Sequence, residues 1–348
     1  MLLFLLTPLF VLAAIGLYIF FGGRKLSPAA EAIIDEVLRC DLPELVQGQS
    51  GYATSNGVKI WYECIAQKGE YRGTVMLLAP MGGNGLFWPL AFVRAFLDAG
   101  YAVIRYDHRG TGLSDWMERW DRKRPYTLVD MAGDATAVLD ALSVGQAHLV
   151  GLSLGGMVAQ EMAIHSPERV ASMTLMMTSA YAPDPDIPGL TTRTVLRHAM
   201  HGLPLLRYRI LGGERNLIRE PIAKMLQVVG PGYWDIREVA TMVRYDLRKR
   251  RGMNLRALLQ HQAAVSVTPP RFAALGRLDV PALIIHGADD EIIPFAHGKK
   301  LAAAIPGART IWLEGVGHVF PPPHLQSLNT KIIAHIARST DLHHTHKA

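Results

Sequence analysis

The chain has 348 residues, 49% of them hydrophobic and 19% charged, enough to bury a sizeable core as one large domain or a core with an insertion, and unlike a disordered or repeat protein. Its formal net charge of +6 comes without a known nucleic-acid reader motif, which argues against a nucleic-acid partner. Two cysteines, Cys40 and Cys64, cannot build a disulfide framework, and the sequence has no CxxC or Cys/His cluster that would ligate a metal.

Residues 1–23, MLLFLLTPLFVLAAIGLYIFFGG, contain no charged side chain, and Arg24-Lys25 follow at once. As a helix, such a run is long enough to cross a hydrocarbon core of about 30 Å. No basic segment precedes it and no small-x-small cleavage site follows it, so the expectation is an uncleaved, single-pass transmembrane anchor rather than an export signal. Arg24, Lys25 and Arg39 after the span place the body on the cytoplasmic side, although Glu31, Asp35 and Glu36 share that segment.

Residues 24–50 read as a linker carrying a short amphipathic helix, SPAAEAIIDEVLRC, that begins at Ser27-Pro28. Asn56-Gly57 signals a hairpin between two strand-like segments. Beyond it, short apolar strands alternate with amphipathic helices from TVMLLAP to VASMTLMMTS. That rhythm predicts an α/β fold with a mostly parallel central sheet covered by helices on both faces. It stops after Ser179 and resumes at PALIIHGADD, which makes 51–179 and 276–340 the core and 180–275, helical and broken by prolines, an inserted cap. Residues 341–348 read as a disordered tail.

Between the fifth strand and its helix lies AHLVGLSLGGMVAQE, a G-x-S-x-G pattern centred on Ser153. A serine at a sharp strand-to-helix turn can project its hydroxyl from the sheet edge, with Gly151 and Gly155 giving room for close packing. The simpler role is that of a helix cap. A hydroxyl is a poor nucleophile alone and needs a histidine oriented by a carboxylate. Of fourteen histidines, His318 in LEGVGHVFPP follows the last predicted strand in a glycine-rich loop, while His286 and His108 read more simply as structural. Asp289, Asp290 and Glu291, in the loop after the penultimate strand, can each reach the histidine loop.

These elements together resemble the α/β-hydrolase family. The segments that carry the resemblance are VIRYDHRGTGLSDW, GLSLGG, HGADDEIIP and GVGH, in that order, with MGGN and IPFAHGKKLAAAIP most similar to the aclacinomycin methylesterase group of serine esterases. The resemblance implies an α/β-hydrolase fold and a Ser153, Asp290, His318 triad, because Gly287 to Pro294 fits the family's G-x-x-D-x-x-x-P loop and selects Asp290. It also implies an oxyanion hole made by Leu154 N–H and one donor from LLAPMGGN, which stands where many members carry His-Gly. Pro80 has no N–H; aligning on the strand favours Met81 and aligning on MGGN favours Gly82, the preferred donor.

The implied activity is hydrolysis of carboxylic esters, as in carboxylesterases and lipases, through an acyl-enzyme, with no metal or organic cofactor. A lactonase, an aminopeptidase or a C–C bond hydrolase would use the same triad, and a non-catalytic membrane scaffold is expected to lose triad members that this chain keeps. The cap, with 15 Arg and Lys against 7 Asp and Glu over 181–276, is expected to meet anionic lipid headgroups. The partners are then a membrane and a small-molecule or lipid-like ester.

Overall fold

The computed structural model of the chain describes residues 2–23, 25–187, 192–229, 235–319 and 322–345. In chain order the elements begin with α1 (Leu2–Phe21), α2 (Pro28–Arg39), β1 (Gln49–Ser55), β2 (Val58–Ile65), β3 (Gly73–Leu78), α3 (Leu90–Asp98) and β4 (Tyr101–Tyr106). Then come α4 (Leu128–Ala141), β5 (Ala147–Leu152), α5 (Leu154–His165), β6 (Val170–Met176), α6 (Thr192–Gly202), α7 (Leu206–Leu211), α8 (Gly213–Val229) and α9 (Ile236–Lys249). The chain ends through α10 (Leu255–Val267), α11 (Phe272–Leu275), β7 (Ala282–Gly287), α12 (Phe295–Ala304), β8 (Arg309–Leu313) and α13 (Pro322–Thr345). They form two compact units, Met1–Pro43 with Leu190–Leu247 and Glu44–Gly189 with Arg248–Ala348.

The larger unit is built on an eight-stranded sheet of order β1-β2-β4-β3-β5-β6-β7-β8. The hairpin turns at Asn56 and Gly57, both with positive φ (48° and 80°), which matches the twist of the two antiparallel strands it joins. β2 pairs antiparallel with β4, and from β4 to β8 every pairing is parallel. β4, β5, β6 and β7 are buried along their whole length, which explains their unbroken apolar runs. Successive side chains of β3 go to opposite faces. Met76 and Leu78 join the core with Leu128, Met131, Val138 and Val158 of α4 and α5, while Val75 and Leu77 join Phe92 and Phe96 of α3 and Ile332 of α13.

The smaller unit revises the expected domain map. Ser27 does cap α2, its Oγ accepting from Ala30 N–H at 3.1 Å. But α2 is no part of a linker, because Ile34 and Val37 pack into a core with Ile218, Ile222, Val239 and Ala240 of α8 and α9. Of the region expected as a cap, α10 and α11 belong to the larger unit. At the other end α13 stays helical to Thr345, where a disordered tail from 341 was expected.

The basic cap also reads differently. Arg215 and Arg219 bind Glu31, Arg215 binds Asp35 and Arg237 binds Glu36, so the acidic face of α2 takes up three of the arginines. Arg209 pairs with Glu220, and Arg250, of the run RKRR, is buried on Asp107 in the larger unit with its guanidinium 4.4 Å over the Trp61 ring. Charge spent in internal pairs is not available to lipid headgroups, and the expected lipid-facing role of the cap loses its support.

α1 forms as a 20-residue helix without a charged side chain. Among the described residues no helix is long and apolar enough to cross a membrane. The expected span also draws on residues 1–10, whose side chains lie outside the described residues.

Candidate active site

Three loops at the carboxyl ends of parallel strands carry the candidate side chains, the edge at which open α/β sheets bind ligands. Ser153 sits between β5 and α5 at φ 55° and ψ −115°, a conformation rare for any residue with a side chain. It is held there by its N–H on Met176 O (2.8 Å) and by Thr178 Oγ1, which donates to its carbonyl (2.7 Å). A Cβ on Gly151 would strike the backbone of Gly155, and one on Gly155 would strike the Leu78 carbonyl, so only glycine lets α5 start this close to the sheet. The Ser153 hydroxyl makes no capping bond to α5. It lies 3.1 Å from His318 Nε2 instead, which separates it from an ordinary cap.

His318 follows β8, and its Nδ1 lies 2.8 Å from Asp290 Oδ2. The two loops are sewn together, with Ala288 N–H on Leu313 O and Asp289 N–H on Val316 O. Asp290 is 5% exposed and its Oδ1 accepts from the N–H groups of Ile292 and Ile293, both at 2.9 Å. Burial alone would raise its pKa, but hydrogen bonds from His286 and His318, the charge of His318 and the Ile293 N–H outweigh burial and hold it at about 2. Asp289 and Glu291 are exposed. Asp184 and Asp186, which also follow a strand, are both bound to Lys300. The structure thus brings Ser153, His318 and Asp290 into one hydrogen-bonded line and leaves the neighbouring acids out of it.

The competing histidines have other partners. His286 Nε2 lies 2.9 Å from Ile293 O and 3.5 Å from Asp290 Oδ2, behind the acid. His108 is buried with Nε2 2.9 Å from Ala79 O; burial, eased only partly by that bond, pushes its pKa down to about 4.

After β3 the chain turns through Ala79-Pro80-Met81-Gly82-Gly83, with Gly83 N–H closing on Pro80 O at 2.9 Å. Gly82 has φ +72°, and a Cβ there would press on Leu258. Its N–H donates to His261 Nδ1 at 3.1 Å. The preferred oxyanion donor is therefore already committed, whereas Met81 N–H meets no acceptor among the described residues. Leu154 N–H opens the first turn of α5, where no intrahelical acceptor exists. Among the described residues, no group of three or more His, Cys, Asp or Glu could hold a metal ion.

The sheet order, the serine elbow and the loop placement define an α/β-hydrolase, and residues 73–324 match the model of the alpha/beta hydrolase fold family. The chain belongs to that family. It is 32% identical to rhodomycin D methylesterase DauP of Streptomyces sp. (strain C5) over 82% of this chain and 98% of that one. Among solved structures it is similar to a hydrolase from Pseudomonas aeruginosa PA01, with 26% identity, TM-score 0.61, and coverage of 83% of this chain and 98% of that one. A membrane phospholipase A with 18% identity and TM-score 0.61 shares the fold over 97% of this chain and 99% of its own. The chain is an enzyme of the ester-hydrolase kind that resembles the methylesterases.

Proposed function

We propose that the chain hydrolyses carboxylic esters with Ser153 as nucleophile, His318 as general base and acid, and Asp290 as the group that orients the imidazole. The observation that carries this reading is the pair of contacts on His318, Nε2 to Ser153 Oγ at 3.1 Å and Nδ1 to Asp290 Oδ2 at 2.8 Å. His318 takes the Ser153 proton as Oγ attacks the ester carbonyl. Negative charge on the carbonyl oxygen is met by the N–H groups of Leu154 and Met81, neither of which has an acceptor among the described residues. Collapse releases the alcohol, which takes the proton from His318, and water activated by the same imidazole frees the acid.

The relatives named methylesterases favour an ester of a small alcohol, and the uncharged amino-terminal segment favours an amphiphilic acid portion met at a membrane. In this reading residues 1–23 anchor the chain, with the catalytic unit on the cytoplasmic side. The test is a p-nitrophenyl ester series of increasing acyl length beside lactone, peptide and diketone substrates. Turnover confined to esters supports the reading, and preference for any of the other three replaces it.

A further inference from the structure

A histidine far along the chain closes on the turn that supplies the oxyanion donor. His261, on α10, is fully buried, and its two ring nitrogens face opposite ways in the hydrogen-bond network. Nδ1 accepts from Gly82 N–H, so the ring proton is on Nε2, which donates to Arg109 O at 2.9 Å. Arg109 is itself fixed by two bonds to Asp134 of α4, Nε to Oδ2 at 2.7 Å and Nη2 to Oδ1 at 2.6 Å. One imidazole thus ties the turn after β3 to the loop after β4 and, through Arg109, to α4.

The other end of the same turn is held by His108 through Ala79 O. The two imidazoles meet edge to face with centroids 5.8 Å apart, flanked by Tyr106 on His108 and Tyr126 on His261. Only Pro80, which has no N–H, and Met81 lie between the two clamped residues.

We propose that His261 is a positioning residue for ester hydrolysis: by occupying Gly82 N–H it fixes the turn in the register that leaves Met81 N–H as the oxyanion donor beside Leu154. The inference rests on the proposed function of this site and deepens it. His261 touches neither the substrate nor the reacting atoms. Its effect is confined to where one donor stands when charge develops, so it belongs in kcat rather than in KM.

Residue-resolved amide hydrogen exchange on the full-length protein in detergent tests this without any variant. Gly82 N–H is expected to exchange slowly and Met81 N–H fast; after reaction with a fluorophosphonate, Met81 and Leu154 slow by about tenfold or more and Gly82 does not change. Protection gained at Gly82 instead of Met81 overturns the proposal. His261→Gln sets its amide at the Nε2 position, where it donates to Arg109 O, and leaves no acceptor at the Nδ1 position facing Gly82; it is expected to lower kcat by about 10- to 100-fold at unchanged KM while Gly82 exchange accelerates. His261→Asn keeps an acceptor at the Nδ1 position and recovers most of the rate. Wild-type kcat in His261→Gln overturns the proposal, and should that variant not fold, the wild-type exchange pattern decides. Failure of the wild type to take label at Ser153 removes the proposed function instead, with slow exchange at Gly82 still reporting the bond to His261.

Discussion

Asp289 and Asp290 have the same chemistry and adjacent positions, and only their surroundings separate them. One is exposed, and the other is buried under two backbone N–H groups and two imidazoles. Asp290→Asn is expected to lower kcat by about 10³- to 10⁴-fold because the amide holds His318 in the wrong tautomer, while Asp289→Asn leaves kcat near wild type; steady-state kinetics of the two variants checks this. Their stabilities follow linkage. With the Asp290 carboxyl at about 2 against an ordinary 3.8, its contribution is complete above pH 4 and is lost as pH falls towards 2. The buried imidazoles act earlier. Burial takes His261 from 6.5 to about 3, helped by the charges of His108 and Arg109, and takes His108 to about 4. Below pH 6.5 the unfolded chain therefore binds protons that the folded chain refuses, and each histidine removes about 1.4 kcal/mol of stability per pH unit down to about its folded value. Urea midpoints measured at pH 7, 6 and 5 are expected to fall steadily, with a shallower fall in His261→Asn. A flat profile would mean that the two rings are not buried neutral.

At the scale of elements, the parts that sequence made legible are those whose signal is local. The hairpin at Asn56-Gly57, the buried apolar strands and the glycines that crowd the turn from β5 to α5 each reveal themselves within a dozen residues. Ser153 and His318 were legible as candidates for the same reason, since each follows a strand in a short loop, whereas the local signal left Asp289, Asp290 and Glu291 open and only the family resemblance selected Asp290. What stayed hidden depends on partners far away in the chain. Arg219 meets Glu31 across 188 residues, and Gly82 meets His261 across 179, and no spacing rule announces either contact. A helix such as α2 with one apolar face looks like a linker helix until α8 and α9 are present to cover Ile34 and Val37. Likewise α10 follows a proline-broken helical stretch, so its sequence reads as cap, although it belongs to the larger unit and holds the turn after β3 through His261. Ile34, fully buried, gives the check on α2. Ile34→Ala is expected to destabilise the smaller unit by about 2–5 kcal/mol, read as a lower urea midpoint. A change within experimental error would return α2 to the status of a linker.

For the whole molecule, the reading joins an α/β-hydrolase unit to an amino-terminal helix with no charged residue. If residues 1–23 anchor the chain, full-length protein is expected to stay in the membrane pellet through high-salt and alkaline washes, and deletion of residues 1–25 to release a soluble enzyme that still cleaves short esters. Full-length protein in the soluble fraction, cleaved near Gly22, would make the segment an export signal. The catalytic account stands apart from that outcome, because every residue it uses lies in the larger unit. The measurement that tests it most directly is ester turnover by folded, full-length Ser153→Ala, with the site of fluorophosphonate modification mapped in the wild type. The expected result is an adduct on Ser153 and a loss of at least about 10⁴-fold in kcat in the variant at unchanged melting behaviour. An adduct on another residue, or near-normal turnover by a folded Ser153→Ala protein, would contradict the account.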